Sequence, residues 1–140
     1  MVIIVKNKVF IDTSGWLALV NKKDEYHKKA KNVKNEINEK NFEIYTSNFV
    51  IVEIANGLSK IKFKYLAVNL VEKIRGSEDI NNITVNNNIF EESWDLFKDY
   101  DDKEWGLTDC TSFIIMKDHN IQKTLSNDHH FEQKGFINLL

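Results

Sequence analysis

Short apolar runs alternate with longer stretches whose apolar residues recur every three or four positions. The first run, "KVFID", reads as a buried strand over about Lys8–Asp12. Thr13 and Ser14, residues that cap helices, follow it, so a short helix is expected from Ser14 to about Asn21. The Lys/Asn-rich segment 21–41 still carries Tyr26, Ala30, Val33 and Ile37 at helical spacing. It predicts an amphipathic helix from about Asp24 to Glu39 with a wet outer face. "FEIYTS" alternates and is β-rich, a strand over Phe42–Ser47. Helices are then expected over Asn48 to about Ser59 and about Lys62 to Arg75. "INNITV" is a weak strand over Ile80–Val85. Asn87 or Asn88 caps a helix to about Tyr100, and Thr108 caps another to about Asp118. "IQKTLS", Ile121–Ser126, and "FINLL", Phe136–Leu140, complete the strands. Strands alternating with helices imply an α/β fold with a parallel sheet covered on both faces.

The 140 residues match the size of one ordinary domain, taken as 1–140, and 42% hydrophobic content supports one core. A single cysteine, Cys110, allows no disulfide within the chain, which fits a reducing, cytoplasmic setting. The apolar start "MVIIVKNK" is too short for a signal-peptide core or a membrane span, and no later run is long enough, so no membrane partner is expected. Proline is absent, and neither a repeat nor a linker is visible. The net charge of -2 argues against a generic polyanion binder, yet Leu58–Arg75 carries a local +4. That lysine run reads equally as a solvated helix face or as a phosphate track.

Ligands in parallel sheets bind beyond the carboxyl ends of the strands. Asp12 lies at such an end, Asp128 just past another, and Asp109 in the first turn of a helix. Glu53 sits inside "FVIVEIANGL", an apolar helix that reads as buried, where a lone ionised carboxylate costs several kcal/mol. Each acid has a structural explanation: a helix cap for Asp12, a helix-dipole partner for Asp109, a turn for Asp128, a pairing with the Lys60–Lys64 cluster for Glu53. Together, converging carboxylates persist when protonated or when cations hold them. Oxygen donors without His/Cys pairs at zinc spacing suit Mg²⁺ or Mn²⁺.

The blocks "VFIDTSGWLALVNKKDEYH", "TSNFVIVEIANGL", "LTDCTSFIIMKDHNI" and "LSNDHHFEQKGFINLL" resemble those of PIN-domain ribonucleases. They are most similar to VapC-type toxins of toxin–antitoxin pairs and their stand-alone relatives. The resemblance spans essentially the whole chain, in order. It implies a three-layer α/β/α PIN-like domain with strand order 3-2-1-4-5. It also implies an Mg²⁺- or Mn²⁺-dependent endoribonuclease that hydrolyses RNA with a metal-activated water. Carried over by motif, Asp12, Glu53, Asp109 and Asp128 are the catalytic metal-binding acids. Thr13, Ser14, Thr108 and Ser112 are hydroxyls that orient them. His130 stands either as an RNA contact or as a turn residue, and Lys60, Lys62 and Lys64 as phosphate contacts. Trp16 and Trp105 are stacking candidates at the cleft rim or else core residues.

The apolar members of the Lys60–Arg75 region, Ile61, Phe63, Leu66, Leu70 and Ile74, serve as core or, as the resemblance implies, help form a homodimer. A toxin would have an antitoxin protein masking the acidic cleft with a basic side chain. The alternatives are an RNA-processing PIN nuclease without an antitoxin, or a catalytically silent PIN-like module that binds RNA or protein. An aspartyl-phosphate phosphatase is disfavoured because Ser14 stands where its second aspartate is needed. A dinucleotide-binding domain lacks its glycine fingerprint.

Overall fold

The computed structural model describes residues 6–140. Residues 1–5, and with them most of the apolar start read as too short for a signal or membrane core, lie outside the described residues. The elements are β1 (Lys8–Ile11), α1 (Thr13–Val20), α2 (His27–Glu39), β2 (Glu43–Ser47), α3 (Asn48–Gly57) and α4 (Ile61–Gly76). They continue with β3 (Ile80–Ile83), α5 (Asn87–Asp99), α6 (Leu107–Asp118), β4 (Lys123–Leu125), α7 (His130–Gln133) and β5 (Ile137–Asn138). All five strands are parallel, in the order β3-β2-β1-β4-β5. The chain steps outward from β1 to β3, then returns to β4 on the other side of β1. The reversal of direction at β1 leaves a switch point at the carboxyl ends of β1 and β4, and connections of the hand usual for parallel strands put helices on both faces. Among the described residues no helix is long and apolar enough to cross a membrane.

The central strand is the most apolar, with Val9, Phe10 and Ile11 fully buried. Phe10 is in register with Tyr45 on one side and Thr124 on the other. Phe10, Phe113 and Phe131 share one core cluster, Phe113 meeting Phe131 edge-on at 5.0 Å. The edge strands are short: β3 reads Ile-Asn-Asn-Ile with both asparagines exposed, and β5 has two residues.

Several expected boundaries moved for local reasons. Asp24 folds a turn, its Oδ1 accepting from the Tyr26 N–H at 2.8 Å, so α2 begins at His27 rather than at Asp24. The cap of α5 is Asn86, one residue before the expected Asn87 or Asn88, and its side chain accepts from the Ile89 N–H. Thr108 does not cap α6. Gly106 is the cap, Thr108 is the second helical residue, and the Asp109 carboxylate reaches back to the Gly106 N–H at 3.0 Å.

One burial expectation is corrected and two open alternatives are decided. Only Val50 and Ile54 of α3 are buried, one stripe four residues apart, and Glu53 is exposed. An apolar sequence all round the helix therefore did not mean burial all round. In α4, Ala67, Leu70 and Ile74 face the core and Phe63 and Leu66 are half-buried, but Ile61 is 94% exposed. Trp16 and Trp105, read as stacking candidates or else core residues, are each 4% exposed. Their indole N–H groups donate to Thr46 Oγ1 at 3.1 Å and Gln133 Oε1 at 3.0 Å, so both belong to the core.

Candidate active site

Asp12 follows the last residue of β1 and caps α1. Its Oδ1 accepts from the Gly15 N–H at 2.8 Å and the Ser14 hydroxyl at 2.8 Å, and its Oδ2 from the Ser126 hydroxyl at 2.8 Å. The register Ile11↔Leu125 places Ser126 beside Asp12 across the parallel pair. Close approach is possible because residue 15 is glycine: a Cβ there would stand 2.1 Å from the Leu125 carbonyl oxygen. Asp12 is only 5% exposed, and that burial is the main reason its pKa is pushed up to about 7. The bonds from Gly15, Ser126 and Ser14 oppose the shift, while the charge of Asp109 adds to it.

The same serine leads to the second acid. Ser126 Oγ accepts from the Asp128 N–H at 2.9 Å, so one hydroxyl spans Asp12 and the turn that carries Asp128. Asp128 Oδ1 accepts from the His130 N–H at 3.0 Å and also lies 3.1 Å from His130 Nδ1. That nitrogen is equally 3.1 Å from Asp109 Oδ2. Facing two carboxylates, Nδ1 is the protonated nitrogen of the ring. Burial raises the pKa of Asp109, His130 and the Gly106 N–H pull it back, and the charge of Asp128 raises it again.

The structure thus gathers Asp109, Asp128 and His130 with ligand atoms within 4.8 Å of one another, and joins Asp12 to them through Ser126. Glu53 lies outside that group of three and is tied in from α3, its Oε1 accepting the Thr13 hydroxyl at 2.5 Å. Among the described residues none of the four acids forms a salt bridge with lysine or arginine. Glu53 does not pair with the Lys60–Lys64 cluster.

The hydroxyls divide. Thr13 bonds Glu53, and Ser14 bonds Asp12. Ser112, though on the Asp109 face of α6, donates to the Thr108 carbonyl at 3.1 Å rather than to Asp109. Thr108 enters the hydrogen bonding as that backbone acceptor. Lys60, Lys62 and Lys64 are exposed at the start of α4, with Lys62 Nζ 4.9 Å from the centre of the Phe63 ring, and none bonds to the acids. Sequence reasoning missed Ser126. The available signal was its position: like Asp12, it directly follows a short apolar strand.

The donor set fits a hard divalent cation. Partly desolvated carboxylate oxygens, held in place by hydroxyl and amide donors and lacking a basic side-chain partner other than one imidazole, match oxygen-seeking ions.

The PIN domain family model matches residues 9–137. The chain is 30% identical over 129 residues to the 23S rRNA-specific endonuclease VapC20 of Mycobacterium tuberculosis, covering 92% of this chain and 95% of that protein. The crystal structure of M. tuberculosis VapC20, described as a sarcin-ricin loop cleaving toxin, superposes with a TM-score of 0.85 at 29% identity, covering 93% and 97% of the two chains. VapBC2 from Rickettsia felis, solved bound to a DNA fragment from its promoter, shares the fold with a TM-score of 0.67 at 17% identity over 93% and 96%. With its strand order, its acids at the switch point and a family match over nearly its whole length, this chain belongs to the PIN-domain family.

Proposed function

We propose that the chain is a metal-dependent endoribonuclease and the toxin of a type II toxin–antitoxin pair, with ribosomal RNA as its substrate class. The observation that carries this is the hydrogen-bonded run Asp12–Ser126–Asp128–His130–Asp109 at the switch point, without lysine or arginine, in a chain 30% identical to an rRNA-specific endonuclease. Asp12, Asp109 and Asp128 are the residues that would hold Mg²⁺ or Mn²⁺, with Glu53 completing the site from α3. When bound, such an ion acidifies a water for attack on phosphorus and offsets the charge that gathers on the phosphate.

The protein's own groups do the rest. Ser14 and Ser126 orient the Asp12 carboxylate, and Thr13 orients Glu53. His130 holds Asp109 and Asp128 on one side of the cleft. The buried base of the cleft strengthens every electrostatic contact made there. In-line attack leaves a 5′-phosphate and a 3′-hydroxyl. Lys60, Lys62 and Lys64 would contact flanking phosphates. The exposed apolar residues Val52, Ile61, Tyr65 and Val68 of α3 and α4 would form a homodimer face. The antitoxin would set a basic side chain among the acids. The cytoplasm, where ribosomal RNA resides, is the proposed location.

The test is cleavage of purified ribosomal RNA with product ends mapped. Cleavage should stop in EDTA, return with Mn²⁺, and leave 5′-phosphate ends. Cleavage that survives chelation, or 2′,3′-cyclic phosphate ends, would overturn the reading.

A further inference from the structure

Asn138 lies on the edge strand β5 and bonds to none of the four acids. Its carboxamide Nδ2 donates to the Ser126 carbonyl at 2.6 Å, and its Oδ1 accepts from the Ser126 N–H at 3.2 Å and the Leu140 N–H at 3.1 Å. The backbone ladder between β4 and β5 pairs Thr124 with Asn138, and the Leu139 N–H donates to the Thr124 carbonyl at 2.9 Å. Ser126 lies beyond that last rung. One side chain therefore supplies both the donor and the acceptor that a continued strand would have offered to its backbone.

This matters because Ser126 is wholly buried and its hydroxyl is committed on both sides, donating to Asp12 Oδ2 and accepting from the Asp128 N–H. We infer that Asn138 is a positioning residue for the acidic site: by clamping the Ser126 backbone, it sets the hydroxyl that holds Asp12 and Asp128 at one spacing. The consequence for cation binding rests on the nuclease reading above, whereas the clamp itself does not. The residue type is specific. Aspartate keeps the acceptor but cannot donate to the carbonyl, leucine offers neither, and glutamine is one methylene too long.

The test uses the full chain with Asn138→Ala, Ser126→Ala and the double variant. Asn138→Asp, which keeps shape and acceptor, serves if alanine unfolds the edge. Amide hydrogen exchange without metal, Mn²⁺ alone as ligand, and kinetics on a short RNA hairpin are measured together. In folded Asn138→Ala, exchange at the Asp128 and Gly15 N–H groups should speed by about tenfold or more. The Gly15 amide connects to Asn138 through Asp12 and Ser126. Mn²⁺ affinity should fall about 10–100-fold, the range for a residue that orients ligands. The kcat should fall with KM within about twofold, and the double variant should be no weaker than Ser126→Ala alone. Unchanged exchange at either amide, wild-type Mn²⁺ affinity in a folded variant, or additive losses in the double variant overturns the inference. If the wild type itself binds no Mn²⁺, the metal reading fails, and the exchange data alone decide whether Asn138 positions the acids.

Discussion

Asp12 combines a role in folding with one in chemistry, and the two pull against each other. As the cap of α1 it accepts the Gly15 N–H, yet burial makes its charged form costly. The folded protein holds its proton up to about pH 7, while an ordinary aspartate releases it near 3.8. Between those values the unfolded chain binds fewer protons, so the metal-free protein loses stability as pH rises through the window, by on the order of 2–4 kcal/mol. Thermal melts at pH 5 and pH 8 should therefore show the wild type falling relative to Asp12→Asn, and Mn²⁺ at pH 8 should restore it. Parallel pH profiles for the two proteins would contradict this. Asp12→Asn should also cut cleavage by at least about 100-fold, the scale for removing one preorganised charge, in a protein that melts no lower than wild type at pH 8. Asp12, Asp109 and Asp128 stood out in the sequence because carboxylates at strand ends and helix starts are visible locally. Ser126 did not, because its partner Asp12 lies 114 residues away and only the sheet register joins them.

The elements carry the site through close packing. The first turn of α1 rests on the end of β4, and Gly15→Ala would drive a methyl into the Leu125 carbonyl. Loss of about 1–3 kcal/mol in denaturant unfolding is expected, with cleavage falling in the same variant because Asp12 and Ser126 separate. All five strands were legible from apolar runs bounded by polar residues, and their order from the resemblance. Strand ends were overread by one or two residues because apolar residues such as Phe136 and Ile121 continue into packed loops. Helix α7 was missed: four residues give no period, and what holds it is Phe131 against Phe10 and Phe113, a tertiary cause. The exposure of Glu53 was illegible for the opposite reason. The flanking residues of α3 are apolar, and only the packing shows that Val52 points away from the core at 55% exposure. That surface has a use in the proposed dimer. Val68→Glu, at a position 53% exposed, should turn a sedimenting dimer into a monomer without lowering the melting temperature. A wild type that already sediments as a monomer would refute the assigned face.

Across the whole molecule charge is unevenly placed. The chain carries -2 in total, but its acids converge at the switch point while Leu58–Arg75 carries an excess of lysine and arginine. A polyanionic substrate would be held by the second region and cut at the first once cations fill it. Reversing Lys62 and Lys64 to glutamate should weaken RNA binding and lower the slope of log affinity against log salt by about 2, with cleavage chemistry intact at saturating RNA. An unchanged slope would leave those lysines as solvated surface. Cations and substrate meet only if acids from β1, α3, α6 and the β4–α7 turn form one cage, and diffraction measures this directly. Crystals soaked in Mn²⁺ and recorded at the manganese edge should show an anomalous peak at bonding distance from the carboxylates of Asp12, Asp109 and Asp128. A site bare of manganese at saturating concentration, or manganese bound only elsewhere on the surface, would contradict the account.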